Sequence, residues 1–261
     1  MNCKNCQTTL SIESDFCYKC GGKVIKNRLT IKNLLNYSLE TFFNYDNKFF
    51  QTIVNLIKNP KDVIDSYVNG TRKKYIEPLG FFAISLTISG LYLFIIQKYF
   101  PQLFDFSAAF GSDSQREFGT KLTNMTTEYN SLLYFILIPA LALMSRIVFF
   151  NKRYNYTEHL VLFFYTMPLF SMFSSLVSLM IVLFVPAEFM MISLGLYGVF
   201  FIHHCFVFKQ IFGLSFKQLL IKTILFIPIF FIFYIGLSIL IVIIFLATGH
   251  MNLQDFAPPA S

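Results

Sequence analysis

Residues 219–247 read LLIKTILFIPIFFIFYIGLSILIVIIFLA, with Lys222 as the one charge and Pro228 as the one proline. A straight helix of that length measures about 43 Å. This exceeds the ~30 Å hydrocarbon core of a bilayer, so the segment must tilt, kink or begin among the headgroups. In lipid every backbone polar group has to be satisfied within its own element, which makes the run a helix.

Four further stretches carry the same signature. They are residues 79–96, 131–150, 160–185 (with Pro168 inside) and 189–208. The expected fold is mainly α, with a five-transmembrane-helix bundle over residues 79–248. The composition of the whole chain agrees. Of 261 residues, 55% are hydrophobic and 13% charged, against roughly 25% charged in a soluble domain. Mean hydropathy is +0.58. Disordered, collagenous and disulfide-rich secreted chains are excluded. So are buried helices of a soluble core, because five such runs are too many.

Orientation follows from basic residues beside the spans. With the N-terminus in the cytoplasm, only Lys98, Arg116 and Lys121 of the 21 Lys and Arg lie on the opposite side. Five crossings then put the C-terminus outside. The net charge of +7 is read as topology and attraction to anionic lipid. The first 30 residues are polar and Cys-bearing, unlike a signal peptide.

The chain opens with Cys3-Lys4-Asn5-Cys6, and Cys17-Tyr18-Lys19-Cys20-Gly21-Gly22 follows. Two C-x-x-C knuckles present four thiolates tetrahedrally, the arrangement of a structural zinc site with no open position. The ligands are Cys3, Cys6, Cys17 and Cys20 in a zinc ribbon over residues 1–22. Gly21 and Gly22 let backbone amides face the sulfurs, and Leu10, Ile12 and Phe16 are the expected core. A segment this small depends on its metal to fold. Rubredoxin-like iron, a redox dithiol and paired disulfides are the other uses of such a pattern. Cys205, inside an apolar run, is expected to be a buried free thiol.

Residues 23–30 read as a linker, and residues 31–78 as amphipathic interfacial helices. Ile31, Leu34, Leu35, Leu39, Phe42 and Phe43 share one face, and Phe49, Phe50, Ile53, Val54 and Ile57 the next. Asn59 and Pro60 start a third helix with Val63, Ile64, Tyr67 and Val68 along one face, and Gly70 ends it. Arg72, Lys73 and Lys74 then precede the first span. They serve as a topology determinant, with contacts to anionic headgroups as the sharper alternative. Residues 99–129 form a long extracytoplasmic loop, and residues 249–261 a flexible tail. No internal repeat is evident.

Three stretches carry a resemblance. They are Phe43-Asn44-Tyr45-Asp46-Asn47-Lys48-Phe49, the spaced pattern from Pro60 through Tyr67, Gly70, Arg72 and Tyr75 to Pro78, and Asn155-Tyr156-Thr157-Glu158-His159-Leu160-Val161. With the ribbon and the spans, the chain resembles an uncharacterised bacterial family of zinc-ribbon polytopic inner-membrane proteins, more distantly similar to Yip-one-like five-span proteins. The resemblance implies an inner-membrane location and a five-helix bundle. It implies no activity.

Polar groups within spans point to function when they are present. Midplane charges are absent. Glu158 and His159 open the third span, and His203 and His204 lie near the same end of the fourth, so the four are a candidate metal or proton-relay site. The plainer reading makes Glu158 a helix-start residue and the histidines hydrogen-bonding groups. Ser171, Ser174, Ser175 and Ser178 form a small-residue stripe, suited to close helix packing or to a conduit. No phosphate-binding Gly loop, nucleophile elbow or H-E-x-x-H occurs.

The leading expectation is therefore a non-enzymatic scaffold or adaptor whose ribbon meets a protein partner. A channel or small-solute or lipid transporter is the first alternative. A membrane metalloprotein using Glu158, His159, His203 and His204 is the second. Lys4, Lys19 and Lys23 are too thin a patch to favour nucleic acid.

Overall fold

The computed structural model describes residues 1–22, 24, 30, 48–104 and 128–247. The chain divides into two compact units, Met1–Asn47 and Lys48–Ser261. The expected linker (except Val24 and Thr30), the amphipathic face from Ile31 to Phe43, most of the long loop and the C-terminal tail lie outside the described residues.

The described part of the first unit has no strand; its residues include an isolated antiparallel bridge between Asn2 and Thr9. Its buried residues are Cys3, Leu10 and Cys17, with Cys6 and Val24 packed against them. Ile12 and Phe16, expected in this core, are 78% and 57% exposed. Cys3, Cys17 and Leu10 take the buried positions and Cys20 is exposed, so Ile12 and Phe16 lie at the surface.

The second unit is helical throughout its described length apart from short connections. Its elements are α1 (48–58), α2 (Pro60–Val68), α3 (Pro78–Tyr99), α4 (Asn130–Val148), α5 (Tyr156–Phe184), α6 (Phe189–Phe212) and α7 (Phe216–Ala247). Helices α3, α5, α6 and α7 are long and apolar enough to cross a membrane. The expected span over residues 131–150 is helix α4, whose described apolar stretch, Leu132–Val148, is shorter than those four. At its C-terminal end Phe149 stacks on Phe208 and Phe212, at centroid distances of 4.8 and 4.7 Å.

Local chemistry sets the helix ends. At α5, Asn155 Oδ1 accepts from the Glu158 amide (3.0 Å), and Glu158 Oε2 accepts from the Asn155 amide (2.7 Å). This reciprocal box satisfies two donors that a helix start leaves unpaired. Gly70, at φ +94°, closes α2. Its amide donates to the Tyr67 carbonyl, and the Thr71 amide donates to that of Ser66, the paired bonds of a Schellman ending. Asn59 holds the N-cap position of α2, but its side chain makes no capping bond. Gly213, at φ +58°, turns α6 into α7.

Helix α5 is the axis of the unit. Half of its apolar window is buried, and it packs on α2, α3, α4 and α6. None of the α7 window is buried. Helix α1 reverses part of its expected face. Thr52 and Leu56 are wholly buried, whereas Phe50, Val54 and Ile57 form an exposed apolar stripe. Thr52 explains the rotation: its hydroxyl donates to the Lys48 carbonyl and accepts from the Ile76 amide. That pins the extended segment before α3, whose Ile76 carbonyl also accepts from the Tyr165 hydroxyl (2.7 Å).

Candidate metal centre and the polar sites of the helical unit

The four sulfurs converge. Cys3 Sγ lies 3.7 Å from Cys20 Sγ, Cys6 Sγ lies 3.5 Å from Cys17 Sγ, and all four are within 4.8 Å of one another. A disulfide requires about 2.05 Å, so these are free thiols. Four sulfurs bound at ~2.3 Å to a tetrahedral ion stand about 3.8 Å apart. The cluster can therefore bind a metal ion. Among the described residues it is the one group of Cys, His, Asp or Glu with ligand atoms so placed.

The backbone that builds it repeats with the fourteen-residue offset of the two C-x-x-C knuckles. The Gln7 amide donates to the Cys3 carbonyl (2.9 Å), and the Gly21 amide to the Cys17 carbonyl (2.8 Å). The Cys3 amide donates to Thr8 and the Cys17 amide to Gly22, both at 2.9 Å. Leu10 donates to Met1, and Val24 to Asp15. Both knuckles use a left-handed residue after the second cysteine, Gln7 at φ +61° and Gly21 at φ +68°. Only one of the two is glycine, so outside the cysteines residue identity does not carry the repeat.

Amides and side chains tune the thiols. The Thr8 hydroxyl, 3.3 Å from Cys6 Sγ, and then the Thr8 amide hold Cys6 down to about 6. The Gly22 amide and then the Asn5 side chain lower Cys20. Against the pull of the Cys20 amide, burial and the Cys6 thiol push Cys17 up to about 11. Thr8 and Asn5 were not singled out from sequence. The fourteen-residue offset from Gly22 is the signal that marks Thr8.

In the helical unit, Glu158, His159, His203 and His204 form no ligand cluster. Glu158 is spent on the α5 capping box. His159, wholly buried, meets Ser145 Oγ through Nδ1 at 2.9 Å. His203 Nε2 meets the Leu56 carbonyl (3.1 Å). His204 Nδ1 faces the Phe200 carbonyl (3.1 Å) and Nε2 the Thr166 hydroxyl (3.0 Å). A carbonyl only accepts, so Nδ1 carries the proton and Nε2 accepts from Thr166. Each ring thus bonds its own neighbour. The serine stripe closes the α3–α5 contact: Ser89 and Ser171 hydroxyls lie 2.6 Å apart, and Ser175 donates to Ser89 (3.5 Å). Cys205 Sγ is 3.9 Å from Thr223 Oγ1.

The basic run before α3 is partly committed within the protein. Lys74 Nζ donates to both Asp62 oxygens (2.9 and 2.8 Å), and the Tyr75 hydroxyl donates to the same carboxylate. Three residues further along α2, Asp65 takes Arg153 Nη2 (2.7 Å) and the Tyr154 hydroxyl. Two basic-Tyr dipeptides thus clamp two aspartates on one short helix. The Arg72 guanidinium lies 5.4 Å from the centre of the Tyr67 ring.

Residues 46–90 match a family described as "Protein of unknown function (DUF3667)". The matched stretch takes in α1, α2, the pinned segment and the first half of α3. No curated protein and no solved structure matches the chain.

Proposed function

We propose that this membrane protein is a scaffold rather than an enzyme. It would hold a structural zinc ribbon on the cytoplasmic side of a bacterial inner membrane and offer it to a protein partner. The observation that carries the reading is the closed set of four sulfurs: a tetrahedron completed by protein ligands leaves no position for a substrate. Thiolate softness and tetrahedral spacing favour zinc over harder ions. Polar residues of the spans support the same reading, because His203, His204, Ser89, Ser171 and Ser175 each bond a group packed beside them rather than converging on one site. Helix α4, about 28 Å long, completes a five-span bundle. Tyr18, 80% exposed on the second knuckle, lies on the surface a partner would touch.

The test combines metal analysis with crosslinking. Protein purified from membranes should carry one zinc per chain, and Cys17→Ser should lose it. A photo-crosslinker replacing Tyr18 should trap one partner in stoichiometric yield in the intact chain and none in the Cys17→Ser background. Retained zinc in Cys17→Ser would remove the four-thiolate assignment. Identical crosslinks in both backgrounds would remove the ribbon as the docking element.

A further inference from the structure

We propose that the groove between α6 and α7 seats one acyl chain of an anionic phospholipid, with the headgroup at Lys222. This rests on the membrane-spanning character of the helices and is independent of the metal and partner reading. The groove is partly open and has a volume of about 360 Å³. Tyr197, Phe201 and Cys205 of α6 and Thr223, Phe226 and Phe230 of α7 are among its walls. From Leu219 to Phe231 it follows α7 for about 18 Å. That slightly exceeds the ~15 Å depth of one leaflet, half of the ~30 Å hydrocarbon core. The groove thus runs from headgroup level at the α6–α7 turn to the membrane midplane, the reach of one chain.

Charge selects the lipid. Lys222 lines the groove at its turn end, and no Asp or Glu lines it anywhere. Lys222 Nζ donates to the Val148 carbonyl (2.6 Å) and to Asn151 Oδ1 (3.1 Å). Both acceptors are neutral, and an ammonium has three donors, so one remains for a phosphate oxygen. Lys152 Nζ similarly caps the Phe212 carbonyl (3.2 Å). Among the described residues neither lysine pairs with a carboxylate. Two uncompensated cations beside an apolar slot complement an amphiphile with a negative head. By the distribution of basic residues, this end faces the cytoplasmic leaflet, where anionic headgroups concentrate.

The chain contains no tryptophan, so one introduced indole reports a single location. Full-length Phe226→Trp is reconstituted in phosphatidylcholine vesicles. These contain a minor fraction of either brominated-chain phosphatidylglycerol or brominated-chain phosphatidylcholine. The anionic lipid should show about fivefold preferential quenching, the factor one juxtamembrane cation contributes. Lys222→Gln should remove the preference, and Ile239→Trp, on the exposed side of α7, should show none. If Phe226→Trp does not fold, as judged by circular dichroism, Phe230→Trp takes its place. Equal quenching by the two lipids, or a preference that survives Lys222→Gln, overturns the proposal. So does relief of quenching by added inorganic phosphate, which would show a headgroup-sized anion site without an acyl slot.

Discussion

The two units of this chain hold themselves together by opposite means. In the first, three buried residues, two of them cysteines, make up the described core. In the second, α5 buries Leu162, Phe163 and Tyr165 completely or nearly so, against Phe81, Ile138 and Val207 from three other helices. A segment with so few buried apolar residues as the described part of the first unit would draw stability from an ion held by its four sulfurs. A unit with a continuous apolar core draws it from packing, and its polar bonds mainly set which faces meet. The difference teaches that one chain can contain two stability mechanisms that respond to unrelated perturbations.

The strongest way to break the comparison is to take the metal away. On the zinc reading, chelation should remove the ion's contribution to folding of the cysteine-rich segment, about 10–16 kcal/mol in zinc-finger peptides, and Cys17→Ser a large part of it. Amide-exchange protection should vanish in residues 1–22 while helical circular dichroism persists; helices that melt with the ribbon would show the units to be coupled. The converse perturbation is Leu162→Ala, which empties a fully buried position on α5. It should cost about 2–5 kcal/mol in denaturant unfolding and leave bound metal unchanged.

Smaller effects sharpen the contrast. Asp65→Ala strips the partner from Arg153 and leaves the buried Tyr154 hydroxyl unsatisfied, a loss of about 1–3 kcal/mol. Burial and then Asp65 itself raise the Tyr154 phenol above its ordinary value, so the hydroxyl stays a donor at any working pH. In the ribbon, Gln7→Gly should stabilise by about 1 kcal/mol, because Gln7 occupies the left-handed position that glycine fills in the second knuckle. A competition titration would read it as tighter metal binding.

The smallest effect is electrostatic. The Lys74 ammonium and then the Tyr75 hydroxyl hold the Asp62 carboxyl below its usual value. A depressed folded pKa contributes stability above the unfolded value of ~3.9, and that stability is lost as pH falls through the folded one. The pair is substantially exposed, so the contribution stays within about 1 kcal/mol. Asp62→Asn should lower the neutral plateau of denaturant stability by up to that amount and converge with the parent at acid pH, where the parent has lost the same contribution.

Much was legible beforehand where the signal is local. The apolar runs located α3, α5, α6 and α7 within a few residues at most ends, because a span is defined by its own composition. The C-x-x-C spacing located the sulfur cluster because each knuckle is one tight turn. Gly70 and Glu158 marked helix ends through short-range bonds, whereas the Asn155 cap, ahead of the expected span, did not stand out. Hydrophobicity puts Ile12 and Phe16 in the core of the cysteine-rich segment, yet both are exposed, since it does not say whether a turn can point a side chain inward. Nor does it say that Phe149, which continues the apolar run of α4, stacks on Phe208 and Phe212 across the bundle.

By itself, then, the sequence determined that this is a membrane-type helical protein with a four-cysteine cluster at its start. Both features follow from neighbours along the chain. Only the tertiary structure decided where the polar groups go. Asp65 finds Arg153 and Tyr154, Ser89 finds Ser171, His203 finds a carbonyl of α1, and Lys222 turns toward the end of α4. These partners are tens of residues or more away in sequence. A buried donor or acceptor must be satisfied by whichever group packing brings beside it, and packing is a property of the assembled helices rather than of any one segment.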